Sequence, residues 1–148
     1  MTVANLAPGL LDEIARHGEE TYPDECCGFL VGTATDEDRQ ITRVERAANE
    51  FEGERRRRFV IRPEELQGIE DRLEGTSLFV LGFYHSHPDH PARPSAFDQD
   101  HAWPWYVYLV QNIERGRAGE IGAFELDGEA REFRAIPLRP PSPLRATV

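Results

Sequence analysis

The sequence predicts a single α/β domain in which helices flank one mixed β-sheet. The chain has 148 residues, which suits one domain, and 39% of them are hydrophobic, as expected of a folded protein. Segments with the apolar patterning of strands are interspersed with segments of helical periodicity. The sequence has no internal repeat and no linker between composition blocks. We therefore assign residues 1–137 to the domain and residues 138–148 to a proline-rich C-terminal tail.

The first half of the chain predicts one helix followed by three strands. The helix runs from about Pro8 to about Tyr22, because its apolar residues recur at helical spacing and the residue before a proline is disfavoured in a helix. An apolar segment bounded by glycine then predicts a buried strand. The three strands are expected at residues 26–32, 40–47 and 59–61.

The second half predicts a helix, the central strand of the sheet, and a short helix followed by further strands. Acidic residues follow Pro63 and apolar residues recur three and four positions apart, so a helix is expected from Pro63 to about Gly75. Residues 77–85 (SLFVLGFYH) are apolar on both faces, which favours a strand in the middle of its sheet. A proline-rich loop leads to a short helix that starts at Ser95. Strands are then expected at residues 105–110, 120–126 and 131–136, the last two joined by the hairpin signal Asp127-Gly128.

Composition and charge exclude several classes of protein. Asp and Glu number 27 against 17 basic residues, all of them arginine, and the net charge of -10 opposes non-specific binding to nucleic acid. The densest apolar stretch, residues 78–84, is far shorter than the roughly 20 residues of a membrane-spanning helix. The two cysteines, Cys26 and Cys27, are adjacent and exclude a secreted disulfide framework. The N-terminal segment lacks the basic start of a signal peptide. We therefore expect a cytoplasmic protein with no membrane or nucleic-acid partner.

One basic run departs from this acidic background. Arg55 to Arg58 are four consecutive arginines. Such a run is ordinarily a solvated loop or the edge of a strand. The alternative is a docking patch for an acidic partner, and the sequence leaves both interpretations open.

Residues 85–98 (HSHPDHPARPSAFD) concentrate the side chains that carry chemistry. His85 and His87 leave the end of the predicted central strand two positions apart, so both imidazoles project to one side. Asp98 lies three residues into the short helix that Ser95 starts. If the proline-rich loop folds back, two nitrogens and one carboxylate oxygen face one point about 2 Å away, as tetrahedral zinc prefers. Three protein ligands with no obvious fourth are typical of a catalytic zinc that keeps one position for water.

Each part of this pattern also has a structural interpretation. Ser95 and Asp98 have the spacing of a helix capping box, which needs no metal. Two histidines at positions i and i+2 are, by themselves, more often surface or hydrogen-bonded residues than ligands. The conjunction of both pairs at a fixed offset favours the metal site, with His90 and His101 left outside the ligand set. Two histidines and one carboxylate also occur in non-haem iron oxygenases, although the order and offset of the ligands fit that class poorly.

The spacing of these residues resembles the signature of the JAMM/MPN+ zinc metalloprotease family. That signature is His-x-His, seven arbitrary residues, Ser, two further residues and Asp, and the chain matches it at every specified position from His85 to Asp98. Residues 23–32 (PDECCGFLVG) resemble the family's first strand and the catalytic glutamate before it. The resemblance covers most of the chain and implies the MPN fold, which is of the cytidine-deaminase-like type.

The resemblance implies a role for each site residue. His85, His87 and Asp98 would bind Zn2+. Glu25 would act as acid and base on the zinc-bound water, because a carboxylate must take a proton from that water and return one to the leaving amine. Ser95 would donate a hydrogen bond to the oxyanion that develops during hydrolysis.

The chain is shorter than the eukaryotic members that cleave ubiquitin chains, and it is similar to prokaryotic members of the family. The segment after Asn49, which falls where the family often has an asparagine, is brief, as is the segment between Gln111 and Glu120. The prokaryotic members are thought to act on ubiquitin-like or sulfur-carrier proteins that end in Gly-Gly. We therefore expect a zinc metallopeptidase or isopeptidase, deubiquitinase-like, that hydrolyses the bond after the C-terminal Gly-Gly of such a carrier. The alternative is a non-catalytic MPN-type protein-binding module, and the sequence leaves the oligomeric state open.

Overall fold

The computed structural model describes residues 2–140 and places three helices and eight strands along them. The helices and six of these strands confirm the sequence prediction, with ends that differ by a few residues. In chain order the elements are β1 (Val3–Leu6), α1 (Leu10–Thr21), β2 (Cys27–Ala34), β3 (Asp38–Ala47), α2 (Pro63–Leu73), β4 (Phe79–Pro88), α3 (Ala96–Asp100), β5 (Val107–Glu114), β6 (Arg117–Asp127), β7 (Glu132–Ala135) and β8 (Leu138–Arg139).

The eight strands form one mixed sheet in the order β7-β6-β5-β4-β2-β3-β1-β8. In the interior of this sheet, β4 runs antiparallel to β2 and parallel to β5. Near the edge formed by β8, β1 runs parallel to both of its neighbours, β3 and β8. The predicted mixed sheet is therefore confirmed, and so is the central position of the strand that is apolar on both faces.

Helices cover both faces of the sheet because successive strand residues point to opposite sides. The buried residues of α1 pack on the face that carries Leu30 and Tyr84. On the other face, Ile69 and Leu73 of α2 pack against Phe29. Fully burying side chains of this size contributes about 1.5–3 kcal/mol each. The interior strands are thereby fixed from both sides, which gives a rigid support for residues at the ends of β2 and β4.

The predicted strand at residues 59–61 is wrong. This segment is irregular and belongs to no sheet. Val60 donates its backbone N–H to the side chain of Asn49, and its carbonyl accepts the backbone N–H of Glu50. The apolar side chains that suggested a strand line a pocket instead.

Two short strands at the ends of the chain were not predicted. β1 and β8 pair with each other, with Ala4 opposite Leu138. Leu138 and Arg139, the first residues of the predicted tail, therefore join the sheet, and residues 141–148 lie outside the described residues. Between residues 2 and 140, no helix has the length and apolar character needed to span a membrane.

Candidate metal centre

The C-terminal end of β4 presents two buried imidazoles on the face that α2 covers. His85 and His87 are 1% and 6% exposed. By strand alternation they lie on the same face as Phe83, which packs with the α2 cluster. Ser86 between them points to the opposite face, where its Oγ accepts a hydrogen bond of 2.8 Å from the backbone N–H of Cys26. The two rings therefore face one point, as the His-x-His alternation predicts.

Asp98 reaches the same point from helix α3. Ser95 caps this helix: its Oγ accepts the Asp98 N–H at 3.1 Å, and Asp98 Oδ2 accepts the Ser95 backbone N–H at 2.8 Å. The same Oδ2 lies 3.1 Å from His85 Nε2 and 3.2 Å from His87 Nε2. The capping interpretation is therefore correct, and the capping box holds the carboxylate beside both imidazoles.

The three atoms form a triangle whose size fits a tetrahedral zinc ion. Zinc bonds of about 2.0–2.1 Å put neighbouring ligand atoms about 3.3 Å apart. The observed separations are 3.1 and 3.2 Å to the carboxylate oxygen and 3.2 Å between the two nitrogens. His87 Nδ1 lies 2.9 Å from the carbonyl oxygen of Pro91, which can only accept, so Nδ1 carries a hydrogen and the other ring nitrogen, Nε2, faces Asp98. Two imidazole nitrogens and one carboxylate oxygen are ligands that zinc prefers, and the donor set therefore fits Zn2+.

Burial and charge set the protonation states of the ligand-type residues. Burial lowers the pKa of His85, whose ring stacks on Phe59 with 4.5 Å between centroids. Burial opposes ionisation of Asp98, but His85, His87 and the Ser95 N–H together hold the pKa of this carboxyl well below its ordinary value. Neutral imidazole and ionised carboxylate are the forms that bind a metal ion.

Glu25 lies just before β2 and faces the same two imidazoles. The pairing of Cys27 with His85 brings the start of β2 beside the end of β4. A carboxylate oxygen of Glu25 and one nitrogen of each ring lie within 4.8 Å of one another. Glu25 is 2% exposed, and its Oε1 has no hydrogen-bond partner within residues 2–140. Burial, and then the negative charge of Asp98, raises the pKa of Glu25 to about 9. This side chain can therefore hold a proton close to the imidazoles, at a distance that one water molecule can bridge.

Asn49 anchors the loop of residues 49–60, which covers the site, and the sequence did not reveal this role. Its Nδ2 donates to the backbone carbonyl oxygens of Glu25 and Arg58, and its Oδ1 accepts two further backbone N–H groups of the loop. These bonds tie the loop to the start of β2 and keep Phe59 against the ring of His85. The asparagine position common in the resembling family was the one signal that could have found it.

The metal centre lies between two depressions of opposite character. The apolar pocket, with a volume of about 500 Å³, reaches Asp98 and is lined by apolar side chains that include Phe59, Phe83, Phe97, Trp103 and Tyr106. The basic groove, with a volume of about 710 Å³, contains Glu25, His87 and Ser95 together with Arg57, Arg58, His90 and Arg93. A bound substrate that crosses the metal centre would thus meet an apolar wall on one side and positive charge on the other.

The two other histidines of this region lie around the triangle and outside it. His90 is exposed and lines the basic groove. His101 lines the apolar pocket, stacks on Phe97 with 4.0 Å between centroids, and contacts the Phe97 carbonyl oxygen through Nδ1 at 2.8 Å. The three atoms that meet at the centre therefore come from His85, His87 and Asp98.

The fold and the centre together define a JAMM/MPN-type domain. The chain belongs to the family of prokaryotic homologs of the JAB domain, whose model matches residues 7–126. The resemblance inferred from the sequence is thereby confirmed.

Two relatives and two solved structures show how far the similarity extends. Desampylase of Haloferax volcanii is 34% identical over 137 residues, which cover 89% of this chain and 92% of that protein. Tail tip assembly protein K of Escherichia phage N15 is 32% identical over 103 residues, which cover 66% of this chain but 37% of the phage protein. The solution structure of a Desulfitobacterium hafniense protein matches with a TM-score of 0.78 at 26% identity, covering 91% of this chain and 90% of that one. A Salinibacter ruber protein matches with a TM-score of 0.68 at 34% identity, covering 97% and 95%. The chain thus resembles the desampylase and both solved structures over nearly their whole lengths.

Proposed function

We propose that this protein is a zinc-dependent isopeptidase or peptidase that hydrolyses the bond after the C-terminal Gly-Gly of a ubiquitin-like or sulfur-carrier protein. The family and the 34% identity to a desampylase support hydrolysis of this kind. The observation that carries the proposal is the triangle of His85, His87 and Asp98 with the buried carboxyl group of Glu25 beside the same rings. The free and buried state of both cysteines supports a reducing compartment, and we assign the activity to the cytoplasm.

His85, His87 and Asp98 would hold the zinc, which when bound supplies a Lewis acid for the scissile carbonyl and a water of lowered pKa. Glu25 accepts a proton from the attacking water and donates one to the leaving nitrogen. Burial, and then the negative charge of Asp98, raises the pKa of Glu25 to about 9 when no cation is bound, whereas a nearby cation would favour the carboxylate that accepts the first proton. The same carboxyl can then serve as the acid in the second transfer.

Ser95 would stabilise the developing oxyanion. Its Oγ already accepts the Asp98 N–H, so the hydroxyl hydrogen remains available to an acceptor in the basic groove. A substrate carbonyl beside the metal centre is such an acceptor. Ser95 thus combines a capping bond that orients Asp98 with a donor that strengthens as charge builds on the substrate oxygen.

The surroundings of the centre favour a narrow substrate tail. β4 is paired on both sides, to β2 and to β5, so a substrate cannot reach the imidazoles by pairing with this strand. The apolar pocket and the basic groove are the two depressions that reach the centre, so a substrate would approach it through them. A Gly-Gly tail, which has no side chains, can bring its terminal carbonyl close to the buried imidazoles, and the apolar pocket beside Asp98 can take the larger residues that precede it.

The test uses adducts in which a Gly-Gly-tailed carrier is joined to an amino acid or to a lysine side chain, with products read by intact mass. We expect the zinc-loaded protein to release the carrier and a chelator to stop release. Glu25→Gln should retain zinc and lose about 10²–10⁴-fold in turnover, the usual contribution of a general acid-base. Glu13→Gln, an exposed residue of α1 on the opposite face, is the matched control. Unchanged turnover in Glu25→Gln would remove the proposed acid-base, and a wild-type protein that binds no zinc would remove the centre itself.

A further inference from the structure

Part of the arginine run found in the sequence lies beside the metal centre. Arg57 and Arg58 line the basic groove, and Arg93 joins them from the proline-rich loop. All three are exposed. The groove that they line also contains Glu25 and His87, so their positive charge is concentrated next to the atoms that would carry out hydrolysis.

The positive charge of these three arginines is not neutralised by an ion pair within the described residues. In that part of the chain, five arginines form ion pairs with Asp or Glu: Arg43, Arg46, Arg62, Arg72 and Arg134. Over residues 2–140, Arg57, Arg58 and Arg93 make no such pair, although the chain has 27 acidic residues and 17 basic ones. The charge of the groove is thus left available to an anion from outside the protein.

Arg58 is also held in place before any ligand arrives. Its guanidinium lies over the ring of Phe97, with its central carbon 4.6 Å from the ring centroid. Phe97 is the residue before Asp98 in helix α3, so the stacking fixes the guanidinium relative to the metal centre. A pre-oriented guanidinium loses less side-chain freedom on binding and presents a fork of donors that matches a carboxylate.

The position of Glu25 indicates which part of the substrate enters the basic groove. A general acid must lie within hydrogen-bond reach of the nitrogen that it protonates. Glu25 and Ser95 both line the basic groove, so the scissile bond would lie at its inner end, with the leaving nitrogen and the group attached to it extending along the groove. The carrier tail then occupies the side of the apolar pocket.

We propose that the basic groove binds a carboxylate of the leaving group, and that Arg57, Arg58 and Arg93 are its specificity-determining residues. This inference rests on the proposed function, because it names what the isopeptidase site accepts beyond the scissile bond. The carboxylate has two possible sources: the α-carboxylate of an amino acid attached to the carrier, or an acidic side chain near the modified lysine of a conjugated protein.

The experiment compares matched adducts of one Gly-Gly-tailed carrier. The first pair carries a C-terminal alanine, either as the free acid or as the primary carboxamide. The second pair carries a lysine-linked peptide with blocked ends, with either glutamate or glutamine beside the lysine. We expect the wild-type protein to favour the acid over its uncharged partner by about tenfold or more in kcat/KM in at least one pair, since a charge-assisted hydrogen bond is worth about that factor. The pair that responds identifies the source of the carboxylate.

Single variants test the residues. Arg57→Gln, Arg58→Gln and Arg93→Gln should each bring the acid-to-neutral ratio closer to one. Arg58→Lys, which keeps the charge and loses the fork, should give an intermediate ratio. Arg16→Gln makes the same charge change on exposed α1 and should keep the wild-type ratio.

A binding measurement separates failure of this inference from failure of the proposed function. The Kd of each adduct is measured with Glu25→Gln, which would bind without turning over. Absence of hydrolysis with every adduct would refute the proposed function, whereas a Kd ratio that still favours the acid adduct would support a carboxylate site in the basic groove. Equal kcat/KM and equal Kd for acid and neutral adducts would overturn the carboxylate site. Losses in the arginine variants that are the same for both members of a pair would overturn it as well, because they would place the contact on the carrier.

Discussion

Asp98→Asn is the sharpest single perturbation of the centre, because Asp98 has two separable tasks. The carboxylate Oδ2 accepts the Ser95 N–H at 2.8 Å and also lies 3.1 and 3.2 Å from the imidazole nitrogens. Asparagine keeps an oxygen for the capping bond but loses the negative charge. Metal binding and helix capping should therefore respond differently to the same change.

The magnitudes follow from these contacts. Removing a residue that only hydrogen-bonds to a metal ligand typically lowers metal affinity by about 10–100-fold. Loss of an anionic ligand, whose side chain is 7% exposed, should therefore cost at least about 100-fold, or about 2.7 kcal/mol. The free energy of unfolding of the metal-free protein should stay within about 1 kcal/mol of the wild type, because the capping oxygen remains. Asp98→Ala removes both roles and should lower that free energy by about 1 kcal/mol more than Asp98→Asn does.

The assay is a zinc titration against a competing chelator, with urea unfolding of the metal-free proteins alongside. Asp100→Asn, an exposed acid on the same helix, is the control and should bind zinc like the wild type. If Asp98→Asn binds zinc as tightly as Asp100→Asn, then Asp98 serves only as a cap and the reasoning is wrong.

Two further predictions concern stability and the covering loop. Burial, and then the positive charge of Arg46, lowers the pKa of His17 to about 4 in the folded protein, whereas in the unfolded chain this histidine takes up its proton near pH 6.5. The free energy of unfolding of the metal-free protein, measured with urea, should therefore fall from pH 6.5 towards pH 4, and His17→Gln should remove part of that fall. An identical pH dependence in both proteins would contradict the lowered pKa of His17. Asn49→Ala removes the hydrogen bonds that tie the loop to Glu25, so we expect kcat to fall by about tenfold or more while the zinc content is retained. Backbone hydrogen exchange should become faster in residues 49–60. Unchanged hydrogen exchange together with unchanged kcat would refute the anchoring role of Asn49.

Local patterns predicted the parts of the site that a single segment supplies. Strand alternation predicted that His85 and His87 face one point, and the capping box predicted the start of α3 at Ser95. Both faces of β4 carry apolar side chains because helices cover both faces of the sheet, and this pattern predicted that β4 lies in the interior of the sheet. These features depend on neighbours in sequence, so the residue pattern contains them.

Contacts between distant segments could not be read from the sequence. Glu25 comes to the centre because Cys27 pairs with His85, and no local rule selects that register. The apolar residues 59–61 were assigned to a strand, yet Phe59 packs on the ring of His85 and the backbone of Val60 bonds to Asn49. β1 and β8 form because the two ends of the described chain pair with each other, and their short sequences carry no signal of that pairing.

A crystal structure of the zinc-loaded protein tests the central claim most directly. We predict one zinc ion per chain, bound by Nε2 of His85, Nε2 of His87 and a carboxylate oxygen of Asp98, with a water as the fourth ligand hydrogen-bonded to Glu25. A zinc ion coordinated directly by Glu25, or a structure in which Asp98 points away from the metal and only caps its helix, would contradict the account.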